Sequence, residues 1–404
     1  MRKFWLLILL CAFSLAAPPA ETRALWVTRF ELVDTANIPL LVQKAASANF
    51  NTLFVQVCGR GTAFWDSQIL PRDTRAVDFD ALALVLKEAQ KYQLSVHAWI
   101  NALYVWSDSA EPVSPKHAVN AHPEWIMTLD GDAKNKYLDP AIPEVREYVR
   151  SIYLEVARKY PVAGVHLDYI RYPGAGAGFT AYTRRAFERL TGVDPLALDR
   201  NKEIARRLFG QAEYDQYCAQ WNSYRQESVS ALVRAIFREL AVVAPSVVLT
   251  AAVLPDPELA KTHNFQDWAE WMRGGYIDAV IPMIYDRNDR TVQKQIVKAA
   301  ELADEHNVPV FAGLGAWRRP AAEIAGDVKF VRRLYAELDY KYLQGVALFS
   351  YDGIKTMPDY LNQLKSAVFP EQALPPPPRE RRYLTEDAGE AQTDAALGGA
   401  LNIS

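Results

Sequence analysis

Short apolar runs alternate with amphipathic segments along most of the chain. The segments between the runs, such as 79–92, 145–160, 224–243, 291–307 and 321–338, have apolar residues at three- and four-residue spacing, which indicates helices. The runs themselves are rich in β-branched and aromatic residues and predict eight strands, at 23–30, 52–57, 95–100, 164–170, 248–254, 279–285, 308–315 and 345–351. Strands that alternate with helices, without hairpin turns, indicate a parallel sheet.

Eight strand–helix units close most simply into an α/β fold of the (β/α)8 type, the TIM barrel. An open, doubly wound sheet is the alternative, and it differs by a reversal of strand order that a sequence does not display. Two predicted loops, 101–142 after the third strand and 172–222 after the fourth, far exceed the ~2–6 residues usual after such strands. In a barrel both lie at the C-terminal mouth, where active sites form, although they can also be capping decorations without chemistry.

The two ends of the chain depart from this pattern. Arg2 and Lys3 precede an apolar run that ends in small residues up to Ala17, which is typical of a signal peptide. We therefore expect residues 1–17 to be removed and the protein to be exported, to the periplasm or the extracellular space. Residues 369–404 are rich in proline and acidic residues with little apolar periodicity, which predicts a disordered tail. Residues 18–368 remain for a single barrel domain.

Composition excludes several classes of function. The chain is 50% hydrophobic with a net charge of −3, so it has enough apolar residues for a core and lacks the basic surplus of a nucleic-acid-binding protein. The mature chain has no apolar stretch of membrane-spanning length. Its two cysteines, Cys58 and Cys218, can pair but are too few for a disulfide framework or a zinc site. We expect neither a metal nor another cofactor, and no feature identifies a protein partner.

Strand alternation points a set of polar and aromatic side chains into the barrel. His166 and Asp168 face inward in the fourth strand, and Asp168 comes near the strand's carboxyl end, where barrels place reacting groups. Arg171 is a possible partner for Asp168, and a purely structural Asp–Arg pair is the alternative. The same alternation points Gln56, His97, Trp99, Asn101 and Tyr285 inward, although a histidine in such a position is also common in cores. Hydrogen-bonding groups beside aromatic rings suit a sugar, so the predicted substrate-binding residues are Gln56, His97, Trp99, Asn101, His166, Arg171 and Tyr285.

A second carboxylate, Asp286, directly follows the sixth strand. Glycoside hydrolysis needs two carboxyl groups, one to protonate the leaving oxygen and one to attack the sugar or activate water. We therefore assign Asp168 as the nucleophile and Asp286 as the acid/base. Asp256, Glu258 and Asp352 also follow strands and are alternatives for the second role.

Six segments resemble the bacterial glycosyl-hydrolase-like family 10. The most specific is the run Gly-Val-His-Leu-Asp-Tyr-Ile-Arg-Tyr-Pro from Gly164 to Pro173. The others are Arg-Ala-Leu-Trp-Val-Thr-Arg from Arg23, Val55-Gln-Val, His97-Ala-Trp-Ile-Asn, Gln266-Asp-Trp-Ala-Glu-Trp and Pro282-Met-Ile-Tyr. The resemblance extends from about residue 22 to 368. It implies a (β/α)8 barrel, often exported, with glycoside hydrolysis as the presumed activity, and one branch of the family acts on peptidoglycan glycan strands stripped of their peptides.

We therefore expect an exported glycoside hydrolase that cleaves O-glycosidic bonds of a cell-envelope or extracellular polysaccharide, with peptidoglycan glycan strands among the candidates. A non-catalytic carbohydrate- or wall-binding barrel is the alternative, with an aromatic cleft but no competent carboxylate pair. A third reading is a hydrolase of another bond, such as a metal-dependent deacetylase. The residues do not determine the sugar, the linkage, the choice between endo and exo action, or whether the anomeric configuration is retained or inverted.

Overall fold

Eight parallel strands form a closed barrel in the computed structural model, which describes residues 20–129, 132–379 and 381. Every strand pairs with the next along the chain and the last pairs with the first. The strands are β1 (Thr22–Val27), β2 (Thr52–Cys58), β3 (Ser95–Asn101), β4 (Gly164–Asp168), β5 (Val248–Val253), β6 (Ala279–Ile284), β7 (Val310–Gly315) and β8 (Leu343–Phe349). The predicted TIM barrel is confirmed, and the open doubly wound sheet is excluded.

Helices surround the barrel and begin where their sequences provide caps. At the start of helix Ala81–Gln90, the Asp80 carboxylate accepts a hydrogen bond from the Ala83 N–H. At the start of helix Asp289–His306, the Asn288 side-chain oxygen accepts one from the Thr291 N–H. The main outer helices are Asn37–Ser47, Ala81–Gln90, Pro143–Lys159, Gln211–Val243, Asp289–His306, Ala321–Glu337 and Tyr360–Val368. Shorter helices are Ala118–Ala121, Ala181–Thr191, Pro195–Arg200, Lys202–Phe209, Pro257–Asn264, Trp268–Arg273 and Tyr351–Ile354, with 3-10 turns at Arg29–Leu32, Pro123–Trp125 and Ala316–Arg318.

Side chains sort between the two faces of the sheet as strand alternation predicts. Val165 and Leu167 of β4 belong to the large apolar layer between strands and helices. A separate cluster fills the barrel interior, and its large members include Trp26, Phe54 and Trp99. The Trp26 and Phe54 ring centroids are 5.5 Å apart. Because the middle of the barrel is packed with aromatic rings, its open cavities lie at its two ends.

The two long loops fold into structures of their own. The loop after β3 contains a three-stranded antiparallel sheet of Tyr104–Ser107, Ile126–Leu129 and Asp132–Leu138, which the sequence pattern does not predict. Its last strand reads Asp-Ala-Lys-Asn-Lys-Tyr-Leu, with too few apolar positions to show the alternation of a half-buried strand. The loop after β4 contains three helices and the first part of Gln211–Val243, which begins well before the predicted residue 224.

A buried aspartate joins these two loops. The Asp139 carboxylate, at the end of the first loop, accepts hydrogen bonds from the hydroxyls of Thr180 and Thr183, each at 2.8 Å, and from the Tyr172 hydroxyl at 3.2 Å. It also accepts a bond from the Ala141 N–H at 3.1 Å. Burial raises the pKa of Asp139, and these donors act in the opposite direction. The two loops are therefore held in one arrangement above the mouth.

The C-terminal segment crosses the N-terminal end of the barrel. Glu21 N–H donates to the Leu374 carbonyl at 2.9 Å, and the Asn51 amide donates to the Ala373 carbonyl at 3.0 Å. Further along, Arg381 forms a bidentate ion pair with Asp278. The predicted disordered tail starts at residue 369, whereas residues 370–379 and 381 are docked because their polar groups bond to strand ends. We name residues 370–379 and 381 the base strap.

Other predictions concern the ends and the cysteines. The predicted signal peptide, residues 1–17, and the rest of the tail from 382 lie outside the described residues. Cys58 and Cys218 are free thiols rather than a disulfide. None of the helices in the described part combines the length and apolar character that a membrane span requires.

Candidate active site

A cavity of about 430 Å³ opens at the C-terminal mouth of the barrel. Side chains from seven of the strands or their following turns line it, together with the first residues of the long loops. Six predicted site residues are among them, namely Gln56, Trp99, Asn101, Asp168, Arg171 and Tyr285. The remaining lining residues are Trp26, Thr28, Arg29, Phe30, Tyr104, Ser107, Tyr169, Ala252, Met283, Phe349 and Asp352.

Asp168 lies at the floor of the cavity, where β4 ends. Its Oδ2 accepts a hydrogen bond from Trp99 Nε1 at 3.0 Å, and its Oδ1 accepts one from the Tyr169 N–H at 2.6 Å. Arg171 Nη1 lies 3.9 Å from Oδ1. Burial raises the pKa of Asp168, while Arg171 and the two donors oppose that shift. The carboxylate is thus fixed in orientation and largely removed from water.

Tyr169, whose N–H donates to Asp168, has an unusual backbone conformation. Its φ of 49° lies in the left-handed region that non-glycine residues rarely adopt. This conformation comes directly after β4, where the chain leaves the barrel. The Tyr169 ring stacks on Tyr104 of the loop after β3 at a centroid distance of 4.8 Å. The turn therefore orients the carboxylate and also connects it to a loop of the mouth.

Gln56 and Asn101 form a hydrogen-bonded chain beside Asp168. Gln56 Oε1 accepts bonds from the Arg29 N–H and Nη1 at 3.3 and 3.2 Å, and Gln56 Nε2 donates to Asn101 Oδ1 at 3.3 Å. Asn101 Nδ2 in turn donates to the Gly59 carbonyl at 2.9 Å. Both amides are buried and are oriented by protein partners. Their remaining hydrogen-bonding capacity faces the cavity.

Aromatic rings form another part of the cavity wall. Tyr285, after β6, contacts Phe349 at a centroid distance of 5.5 Å and Trp26 at 6.5 Å. Phe349 also lies 6.2 Å from Trp99. Flat apolar faces beside amide and carboxylate groups give the mixed surface that a sugar ring needs, with C–H faces on the rings and hydroxyls on the polar side.

The cavity contains a second carboxylate, but it is Asp352 rather than Asp286. Asp352 follows β8 on the short helix Tyr351–Ile354, and its Oδ1 is buried without a hydrogen-bond partner among the described residues. Asp286 is exposed, does not line the cavity, and accepts a hydrogen bond from the Asn288 N–H at 2.7 Å in the turn before the next helix. β6 ends at Ile284, so Tyr285 faces the mouth and Asp286 points away.

Two predicted site residues, His97 and His166, do not reach the mouth. His166 is fully buried below Trp26, whose Nε1 donates to His166 Nε2 at 3.2 Å, and its Nδ1 bonds to Thr250 Oγ1 at 2.9 Å. His97 comes earlier in β3 and lines a cavity of about 150 Å³ at the other end of the barrel, under the base strap. Burial lowers the pKa of both histidines, that of His97 to about 4. Inward-facing positions on one strand occupy successive layers, and only the last layer borders the mouth.

Sequence reasoning missed several residues of the cavity wall, most clearly Thr28, Arg29 and Phe30. They lie just beyond β1, in and before the 3-10 turn Arg29–Leu32, which the pattern reads as a continuing strand. Arg29 is the last residue of the motif that begins at Arg23. Its position just after a strand could have identified it as a cavity residue. Within the described residues, no group of three or more His, Cys, Asp or Glu side chains is arranged to hold a metal ion.

Comparison with known proteins gives a consistent family match. The model of the family described as glycosyl hydrolase-like 10 matches residues 21–331. The glycosyl hydrolase DigH of Escherichia coli K12 is 29% identical over 289 residues, which cover 63% of this chain and 58% of DigH. The glycosyl hydrolase YngK of Bacillus subtilis is 22% identical over 273 residues, covering 61% of this chain and 48% of YngK. The chain thus spans only about half the length of these relatives.

Solved structures share the fold at low sequence identity. The glycoside hydrolase domain of PgaB (BpsB) from Bordetella bronchiseptica superposes with a TM-score of 0.56 at 12% identity, covering 86% of this chain and 99% of that domain. The catalytic domain of the β-amylase from Paenibacillus polymyxa gives a TM-score of 0.60 at 11% identity, covering 88% and 99%. At such identities the likeness concerns the barrel alone.

Proposed function

Because the chain belongs to the glycosyl hydrolase-like 10 family, we propose that it is a glycoside hydrolase that cleaves O-glycosidic bonds of a polysaccharide at the C-terminal mouth of its barrel. The observation that carries the proposal is the pair of carboxylates, Asp168 and Asp352, in one cavity that aromatic rings also line. Two carboxyl groups in a sugar-sized cavity are the minimum that glycoside hydrolysis requires.

Asp168 acts as the nucleophile. Its two hydrogen-bond donors hold one oxygen each, so the carboxylate has a fixed direction when the sugar arrives. Attack of a carboxylate oxygen on the anomeric carbon forms a C–O bond as the bond to the leaving oxygen breaks, and water later hydrolyses the glycosyl–enzyme bond. The Trp99 N–H and Arg171 favour the ionised carboxylate that this attack needs, against the effect of burial.

Asp352 acts as the acid/base in place of Asp286. Its Oδ1 is buried and unpartnered among the described residues, so the group is available to a ligand rather than committed to the protein. In the first step it gives its proton to the leaving oxygen, and in the second it takes one from the attacking water. Gln56, Asn101 and Tyr285 bind sugar hydroxyls from the surrounding wall.

The substrate is a cell-envelope polysaccharide, with peptide-free peptidoglycan glycan strands as the first candidate, and the protein is exported. The signal-like sequence of residues 1–17 supports export, and the resemblance to the family supports the substrate. Export is tested by the intact mass of the protein recovered from the periplasm or the medium. The expected mass lacks the first 17 residues or a closely similar segment, and an intact N-terminus there contradicts the proposal.

The decisive experiment incubates the purified protein with peptidoglycan, before and after removal of the peptides by an amidase, and measures soluble sugar release. Asp168→Asn is expected to abolish release, and exposed Asp66→Asn is the matched control that retains it. Release that survives Asp168→Asn contradicts the role of Asp168. Glycan capture in a pull-down without turnover by the wild type indicates a carbohydrate-binding barrel instead.

A further inference from the structure

Two arginines present unused hydrogen-bond donors in the cavity. Arg29 Nε and Arg171 Nη1 are both buried, and neither has a hydrogen-bond acceptor among the described residues. Both side chains line the cavity at the mouth. A buried guanidinium N–H without an acceptor is costly, so donors of this kind indicate a group that the protein itself does not supply.

Arg29 has no acidic partner. Its hydrogen bonds go to the neutral Gln56 side chain, and no described carboxylate lies within ion-pairing distance. Burial lowers the pKa of Arg29 most, repulsion from Arg75 and Arg60 lowers it further, and the charge of nearby Asp73 opposes the shift. The guanidinium rests on Gly59, where a Cβ atom would come within 2.6 Å of Arg29 Nη1. The backbone therefore leaves room for Arg29 to lie along the floor.

The Arg171 side chain packs on an aromatic ring, and its Nη1 forms no hydrogen bond with a carboxylate. Its guanidinium carbon lies 4.6 Å from the centroid of the Tyr169 ring. Its Nη1 lies 3.9 Å from Asp168 Oδ1, which is too far for a hydrogen bond. Arg171 thus lines the same cavity as Arg29, although the two residues follow different strands.

We infer that Arg29 and Arg171 recognise a carboxylate carried by the bound sugar, so that the glycan is acidic. This inference rests on the proposed function of the cavity and specifies its substrate class. Guanidinium groups are the preferred partners of carboxylates because their planar N–H groups match the two oxygens. The carboxylate belongs either to a uronic acid ring or to a lactyl ether on an amino sugar, and the two sources are separated below by the choice of ligand.

The test compares each acid with its own neutral ester. Binding of N-acetylmuramic acid and its methyl ester, and of glucuronic acid and its methyl ester, is measured by calorimetry at low ionic strength. We expect at least one acid to bind about tenfold or more tightly than its ester, which is the usual effect of a charge-assisted hydrogen bond in a desolvated site. The pair that shows the preference identifies the source of the carboxylate, and added salt reduces it.

Arginine variants show where the preference arises. Arg29→Gln and Arg171→Gln are each expected to remove most of it, Arg171→Lys retains part, and exposed Arg333→Gln on an outer helix leaves it unchanged. Circular dichroism checks that the variants are folded. An acid that binds no better than its ester in either pair, with undetectable binding of both included, overturns the inference, as does a preference that survives both glutamine variants.

The binding measurement and the digestion experiment can give negative results independently of each other. If glycan strands are cleaved but the acids show no preference, the hydrolase proposal stands and acidic recognition is wrong. If the acids are preferred but no polysaccharide is cleaved, the site binds acidic sugars without the proposed activity. The two measurements therefore decide the two proposals independently.

Discussion

Asp168 lies at the end of β4 and Asp352 lies just after β8. These two strands are on opposite sides of the barrel. We expect Asp352→Asn to lower kcat/KM by about 10²–10⁴-fold, the usual contribution of a general acid/base. Asp286→Asn should keep near wild-type activity because Asp286 is exposed and caps a turn. The rates are measured on the substrate that the digestion experiment identifies. The reverse outcome would restore Asp286 as the acid/base.

The donor from Trp99 has a predictable effect on the pH profile. Asp168 must be ionised to attack, so kcat/KM falls as the pH drops through its pKa, which burial raises above the ordinary range. Trp99→Phe removes a donor that stabilises the carboxylate, so the pKa rises further and the acid limb moves to higher pH. A profile of kcat/KM against pH measures the shift.

The control for this prediction is Trp106→Phe. Trp106 Nε1 donates to the Ala110 carbonyl at 2.7 Å within the loop after β3, and the residue does not line the cavity. Its removal should leave the acid limb where it is. A limb that moves equally in both variants, or to lower pH in Trp99→Phe, would show that the Trp99 hydrogen bond does not control Asp168.

At the residue scale, sequence reasoning found the cavity residues that end strands with clear alternation. Gln56, Trp99, Asn101, Asp168 and Tyr285 lie where the pattern points them. Strand alternation does not show how deep an inward-facing residue lies in the barrel, and this depth decides whether the residue reaches the cavity. His97 and His166 share the inward face with their neighbours, but their layers lie below the mouth.

At the element scale, the arrangement of the two long loops depends on Asp139. Asp139→Ala removes an acceptor that serves two threonine hydroxyls, a tyrosine hydroxyl and a backbone N–H in a buried site. We expect a loss of about 2–4 kcal/mol in the free energy of unfolding, since several buried donors lose their acceptor. Denaturant titration measures it.

Exposed Asp66 provides the comparison for that loss. Asp66→Ala should change the free energy of unfolding by less than about 0.5 kcal/mol, as is usual at exposed positions. If Asp139→Ala is equally mild, the two loops are held by their apolar contacts and not by the carboxylate.

The sequence predicted the barrel strands and several outer helices to within a few residues. The spacing predicts 321–338 and 291–307, and the structure has Ala321–Glu337 and Asp289–His306. The small sheet of the loop after β3 was missed because its strands are short and partly polar. Such strands are stabilised by pairing with each other, which is a long-range property.

At the scale of the whole molecule, the base strap connects the C-terminal segment to residues at the start of β1 and β2. Deletion of 370–404 should lower the free energy of unfolding by about 2–6 kcal/mol, because at least four hydrogen bonds at about 0.5–1.5 kcal/mol each are lost. These run from Glu21, Arg23 and Asn51 to strap carbonyls, and from Arg381 to Asp278. Thermal unfolding followed by circular dichroism gives a second measure.

Deletion of 382–404 is the matched truncation, since it keeps every strap contact just named. The difference between the two truncations isolates the strap. Equal stabilities would show that these contacts contribute nothing, despite the burial of the Arg381–Asp278 pair. Activity at the opposite mouth is expected to survive in both truncations under conditions where they remain folded.

The sequence by itself determined the barrel and most of the cavity floor. The periodicities of strands and helices are local properties, and eight such units in order leave few topologies that bury every strand. Only the tertiary structure shows that Asp352 lines the cavity and Asp286 does not, how deep each inward residue lies, and that the base strap docks on the barrel. These features depend on where a strand ends relative to its neighbours and on contacts between distant segments, neither of which leaves a periodic signal in the chain.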